Sequence, residues 1–374
     1  MVNVKLSEIA FLRNDRITVS KRLYISTENM RQNFNGIDKY QDKQLITGIA
    51  FNSGNILIAN IRPYLKKVYF ADFSGACSAD VLVLVANENI YPKFLYYCIA
   101  NENFINYVMN GGVKGTKMPR GDKKYIMQYS IPLPPLSEQH AIANTLAVFD
   151  NHINNLSELT AKKKAIREGA LNDLMTGRTR LKGFCSAWEV KKLGDIGVVK
   201  MCRRIFQHQT KPFGQIPFYK IGTFGGKSDA YISRELYENY KRLYPYPKVG
   251  DILLSAAGTI GRAVMFDGRD SYFQDSNIVW LDVNHDILCN KFLMYFYQAH
   301  KWQNLEGTTI RRLYNSIILD TQIPLPPRTE QQAIADTLTA FDNEILALES
   351  ERDKIIQIRD GAMNDLLTGK VRLC

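Results

Sequence analysis

Residues 131–151 read IPLPPLSEQHAIANTLAVFDN, and residues 323–343 read IPLPPRTEQQAIADTLTAFDN. The match extends to 131–181 and 323–373, which are identical at 29 of 51 positions at an offset of 192. Solenoid repeats return every 20–50 residues or so, so this period is that of a whole domain. A chain of 374 residues can hold two or three domains. The repeat therefore predicts a duplicated unit and an internal pseudo-twofold molecule.

The repeated segment predicts one element type. Its prolines lack an N–H and bias their predecessors toward extended backbone, so IPLPP is a hinge. Ser137 and Thr329 then read as helix N-caps, with Gln332 completing a capping box in the second copy and His140 breaking it in the first. Glu138 and Glu330 suit the positive end of the helix dipole. Apolar residues follow at 4–3 spacing: Ile142, Leu146, Phe149, Ile153 and Leu156, and again Ile334, Leu338, Phe341, Ile345 and Leu348. The same stripe continues with mostly polar members, Thr160, Lys163 and Arg167 in the first copy against Arg352, the apolar Ile355 and Arg359 in the second. Gly177 and Gly369 read as left-handed terminators. Each helix is about 38 residues, or roughly 57 Å. Such a stripe outruns a domain of about 130 residues, which favours pairing of the two copies as an antiparallel coiled coil over packing of each on its own domain.

Net charge is +11, and its location matters more than its size. Segments 1–130 and 185–322 carry +7 and +5, while the two repeated segments together come to −1. Basic surface of this kind points to nucleic acid. The two long segments share a skeleton despite their divergence. Each opens on a similar phrase (VKLSEIA, KKLGDIG), has a Gly-started apolar strand (GNILI, GDILL) and an aromatic helix (KFLYYCIA, KFLMYFYQA), and ends on a Gly-Thr turn beside basic residues. Short strands punctuated by Gly, Asn and Asp, with one or two helices, predict α+β domains. The organisation is thus 1–130, a first basic domain; 131–184, hinge and helix; 185–322, a second basic domain; and 323–374, hinge and helix. Two diverged basic domains on a spacer suit two unlike DNA half-sites.

This order, the phrases IPLPPLSEQHAIA and IPLPPRTEQQAIA, and the lead-in GTKMPRGDKK at 115–124 resemble the specificity subunit of type I restriction-modification enzymes over essentially the whole chain. The resemblance implies two target recognition domains separated by conserved antiparallel helices. It implies double-stranded DNA, two methyltransferase subunits and, for restriction, motor-nuclease subunits as partners. S-adenosylmethionine, ATP and Mg are then expected on those partners, with no cofactor on this chain.

The motifs agree with a chain without catalytic machinery. There is no Asn/Asp-Pro-Pro-Tyr/Phe tetrapeptide, no Walker A loop, no nuclease core of the Pro-Asp…Glu-x-Lys type and no metal-ligand spacing among the five histidines. Gly258-Thr259-Ile260-Gly261 lacks the third glycine of a dinucleotide fingerprint and reads as a strand turn. Six scattered cysteines without a CxxC pair, no signal-peptide core and no membrane-length apolar run lead us to expect a cytoplasmic protein with no membrane partner.

Candidate DNA contacts in the first domain are Arg62, Lys66, Lys67, Lys114, Lys117, Arg120, Lys123 and Lys124. In the second they are Arg203, Arg204, Tyr219, Lys220, Lys227, Arg262, Arg311 and Arg312, with Arg311-Arg312 the strongest pair because it matches the first domain's basic turn. Lys162-Lys163-Lys164 aligns with Lys354-Ile355-Ile356, so that run lies outside the duplicated plan and reads as a solvated or partner-facing patch. A stand-alone DNA-bridging or repressor-like protein is the alternative function. The copied helices weigh against it, since near-identical surfaces are what two copies of one partner require.

Overall fold

The computed structural model describes residues 2–111, 119–302 and 312–373. It divides into two compact units, residues 1–157 with 350–374, and residues 158–349. These limits differ from the linear segments. Each unit takes one basic domain, the first half of the helix that follows it and the second half of the other helix.

In the first unit Val2–Lys5 pairs antiparallel with Ser130–Leu133, so the domain's entry and exit strands lie side by side. One four-stranded sheet runs in the order Ala10–Arg13, Val81–Ala86, Ile56–Ala59, Val68–Phe70. A second runs Arg16–Ser20, Leu45–Phe51, Gly75–Cys77, Tyr24–Ile25. The run VLVLVA is apolar throughout because both its faces are covered. Leu82 and Leu84 enter the cluster that holds Phe94 and Leu95 of helix Pro92–Ile99, while Val81 and Val83 enter the cluster with Ile25, Ile49 and Phe51 of the second sheet. Helix, sheet and sheet therefore form three layers.

The second unit repeats this frame. Glu189–Lys192 pairs with Gln322–Leu325, and a four-stranded sheet runs Gly197–Met201, Ile278–Val283, Ile252–Ser255, Ala263–Met265. Val279 and Leu281 face the cluster of helix Asn290–Ala299, and Ile278 and Trp280 face the other side. The outer sheet has three strands here, Ala230–Ile232, Ile216–Tyr219 and Tyr272–Phe273, against four in the first unit.

Both long helices have 40 residues, Leu136–Met175 and Arg328–Leu367. They start one residue before Ser137 and Thr329, so neither is the cap, and the Gln332 side chain donates to Asp336 at 2.9 Å instead of closing a capping box. Gly177 and Gly369 do adopt left-handed backbone, at φ 68° and 73°. Within each unit the helix halves run antiparallel. The Arg359 guanidinium donates to Asp150 at 3.0 Å in the first unit, and Arg167 donates to Asp342 at 2.9 Å in the second.

The apolar stripe is shared rather than reserved for a two-helix seam. Ile142 and Leu146 pack in one cluster with Phe94 and Tyr97 of the domain and with Leu366 and Leu367 of the other helix. Ile334 and Leu338 do the same with Phe292, Tyr295, Leu171 and Leu174. Leu156 and Ile345 are buried, while Phe149, Ile153, Phe341 and Leu348 are half-buried. A 40-residue stripe meets both neighbours because a domain helix lies against its apolar first half. Lys163 and Lys164 are not free cations: they pair with Glu344 and Glu349, each at 2.7 Å.

The repeated Glu-Gln now has a structural meaning. Gln139 and Gln331 are almost wholly buried. Gln139 Oε1 accepts the Tyr91 N–H and its Nε2 donates to the Pro134 carbonyl, at 2.8 and 2.9 Å; Gln331 makes the equivalent bonds to Cys289 and Pro326 at the same distances. Each glutamine thus ties hinge, helix and domain together. Glu138 receives two bonds of 2.6 Å from Arg372, and Glu330 receives 2.6 and 2.7 Å bonds from Arg180.

Arg372 holds the Glu138 carboxyl below the usual carboxylate range. A depressed folded pKa contributes stability above the ordinary value, lost as pH falls through the folded one. The melting-temperature gap between wild type and Glu138→Gln is therefore expected to be wide at neutral pH and to start closing below pH 4.5. A gap that is flat from pH 7 to 3 would show that the pair adds nothing through its charge.

Candidate nucleic-acid interface

In both units the edge hairpin of the inner sheet receives the segment that leads back to the hinge. In the first unit the Arg62 N–H donates to the Pro119 carbonyl at 2.9 Å, Ile61 bridges Arg120, and the Gly121 N–H donates to the Asn60 carbonyl at 3.1 Å. In the second, Ala257 bridges Arg312 and the Leu313 N–H donates to the Ala256 carbonyl at 2.8 Å. Arg120 and Arg312 therefore occupy equivalent places, as the repeat alignment implies.

This docking gathers Arg62, Arg120, Lys123 and Lys124 at one end of the first domain. Lys123 and Lys124 start a short helix whose N-cap, Asp122, accepts the Tyr125 N–H at 3.0 Å. Arg62, Lys123 and Lys124 are exposed and make no ion pair among the described residues. Arg120 is oriented by Asp80 at 3.0 Å. Lys66 and Lys67, on the far side of the hairpin, are already engaged, by Glu102 and by the Thr27 carbonyl.

Arg62 and Lys66 hold left-handed backbone, φ 51° and 55°, at hairpin places where the second unit has Gly258 and Gly261, φ 63° and 85°. Glycine adopts this conformation freely, whereas other residues are strained by about 1–3 kcal/mol each. Such outliers cluster at functional sites, and Arg62 belongs to the candidate interface.

In the second unit Arg262 donates to the Phe224 carbonyl at 2.6 Å and so braces the loop 220–227 against the hairpin. Lys220 pairs with Asp229 at 2.9 Å, Lys227 is exposed, and Arg204 pairs with Asp275 at 3.2 Å. Arg203 lies over the Tyr244 ring, 5.2 Å from its centroid. Tyr219 is half-buried and stacks on Phe273 at 5.8 Å, so one face of its ring is occupied. Lys114, Lys117 and Arg311 lie outside the described residues. Asp80 and Asp275, which aim two of the arginines, were not among the candidates, which were cations and one tyrosine. No linear signal marks them, because each meets its arginine only through the fold.

Among the described residues no three His, Cys, Asp or Glu side chains could hold a metal ion, and no helix is long and apolar enough to cross a membrane. The family model for the type I restriction modification DNA specificity domain matches residues 2–166 and 186–358, one match per recognition domain with most of its helix. The chain belongs to this family. It is 38% identical to a putative type I restriction enzyme specificity subunit of Haemophilus influenzae, over 96% of this chain and 94% of that protein. It is 26% identical to the MjaVIII specificity subunit of Methanocaldococcus jannaschii, over 94% and 86%. A type I restriction-modification S subunit from M. genitalium has the same fold, with a TM-score of 0.63 at 17% identity over 98% of this chain and 96% of that one. A chain from a study of assembly and conformational transition in a type I system gives 0.62 at 18% identity, over 98% and 97%. As a specificity subunit, the chain has two recognition domains, and the hairpin faces just described lie on them.

Proposed function

We propose that this specificity subunit reads an asymmetric, bipartite DNA target with its two unlike domains and performs no chemistry itself. The observation that carries this reading is a contrast. The Glu-Arg pairs, the glutamine ties and the tyrosine bonds to Asp150 and Asp342 recur in both units, while the outer sheets and hairpin cations differ. Copied helices suit two copies of one methyltransferase subunit, and unlike domains suit two unlike half-sites. Motor-nuclease subunits would join for restriction. S-adenosylmethionine, ATP and Mg would be held by those partners.

Mapping methylated bases in cells that express the neighbouring methyltransferase, with and without this chain, tests the reading. A methylated adenine motif in two unequal parts with a fixed gap, present only with the chain, is the expected result. Unchanged methylation with tight DNA binding by the purified chain alone would instead favour a DNA-bridging protein.

A further inference from the structure

The first unit contains a cavity of about 560 Å³ between its recognition domain and the last turns of the second helix. The internal repeat explains its origin. Helix Pro92–Ile99 aligns with Asn290–Ala299 through Tyr97 and Tyr295, whose hydroxyls donate to Asp150 and Asp342 at 2.7 and 2.8 Å. In that register Cys98 stands where the second unit has Phe296, and Ala100 where it has Gln298. Phe296 is buried in the second unit's core, and Gln298 accepts a 2.6 Å bond from Arg167. Cys98 and Ala100 leave that space empty beneath Arg359, the counterpart of Arg167.

The mouth is built. Asn33 and Phe34 hold consecutive left-handed conformations, φ 56° and 61°, and their N–H groups donate to the carbonyls of Leu65 and Lys66 at 3.1 and 2.9 Å. A phenylalanine in that region is a true outlier, which a loop without a role would be free to relax. Asn33, Asn35 and Asn103, exposed at the rim, line the cavity and make no side-chain hydrogen bond among the described residues, above an apolar floor that includes Ile131, Met363 and Leu367. Its charged groups cancel, since Lys66 pairs with Glu102, and Arg359 with Asp360 at 2.8 Å.

We infer that this cavity is a binding site for a small uncharged heterocycle bearing an amide or lactam edge, and that its occupancy tunes the first domain's reading of DNA. Size, neutral walls, an apolar floor and free amides define that ligand class. The coupling follows from shared parts: Asn33 and Phe34 are bonded to the hairpin that carries Arg62 and Lys66. The coupling rests on the DNA-reading assignment above, whereas the binding site does not.

The test is fluorine NMR of the full chain with fluorinated nicotinamides, pyridones and uracils, on wild type and Ala100→Gln. That variant copies the second unit and places its amide against Arg359, so it should fold. The expected result is binding to wild type that weakens at least fivefold in the variant. Asn33→Ala, at the mouth, provides a second reading should Ala100→Gln not fold. No binding to wild type, or equal binding to wild type and variants, overturns the site. Saturating probe should then shift affinity several-fold for duplexes carrying the mapped motif, and not in Ala100→Gln. Binding without that shift overturns the coupling. A chain that binds the probe but not DNA, with or without its methyltransferase, overturns the DNA-reading assignment and leaves the site standing.

Discussion

Arg180→Ala is expected to destabilise the second unit and lower its melting temperature, because it leaves a buried carboxylate without its counter-charge. Glu330 is fully buried, and besides its two bonds from Arg180 it accepts one from the Trp188 indole at 3.1 Å. After truncation the indole alone would face a carboxylate with no counter-charge. Removing both charges, as in Arg180→Leu with Glu330→Leu, should recover most of the loss, because the penalty lies in the stranded charge. Thermal unfolding of wild type, Arg180→Leu, Glu330→Leu and the double variant in a double-mutant cycle measures this. An Arg180→Ala protein within about 0.5 kcal/mol of wild type, the scale of an exposed pair, would refute the account. The equivalent Arg372→Ala should cost less, because Glu138 keeps 6% exposure and Arg372 is itself more open.

Arg120→Ala and Arg312→Ala should each weaken DNA binding by roughly 5- to 150-fold, corresponding to about 1–3 kcal/mol, if their guanidinium groups read base edges. The effect should be confined to half of the target: one variant tolerates substitutions in one half-site, and the other in the second. Competition with duplexes altered in a single half measures it. Uniform weakening across sequences, with a shallower salt dependence, would assign both arginines to phosphates. Unchanged affinity would remove them from the interface. Asp80 gives a control, since Asp80→Asn frees Arg120 from its 3.0 Å ion pair without deleting the cation.

The sequence by itself determined a good deal. The 192-residue repeat predicts two long helices with glycine terminators, because periodicity and helix stops are local properties of the chain. The GTIG turn, the GNILI and GDILL strands and the aromatic helices were legible for the same reason. The helix starts were off by one residue, since the hinge prolines rather than Ser137 and Thr329 precede the first turn. Arg120 and Arg312 could be aligned from the repeat. Arg120's acidic partner Asp80 could not, nor could the engagement of Lys66 by Glu102, because these meet across separations of 36 residues or more.

Only the tertiary structure decided which copy completes which pair. Both copies carry the Glu, the Asp and both arginines, so the repeat alone allows Glu138 to pair with Arg180 or with Arg372. A continuous helix of 40 residues keeps its first and last turns roughly 60 Å apart, so a glutamate at its start cannot reach the arginine just past its own end. The partner must come from the other copy running the opposite way. Glu138 accordingly takes Arg372, and Glu330 takes Arg180.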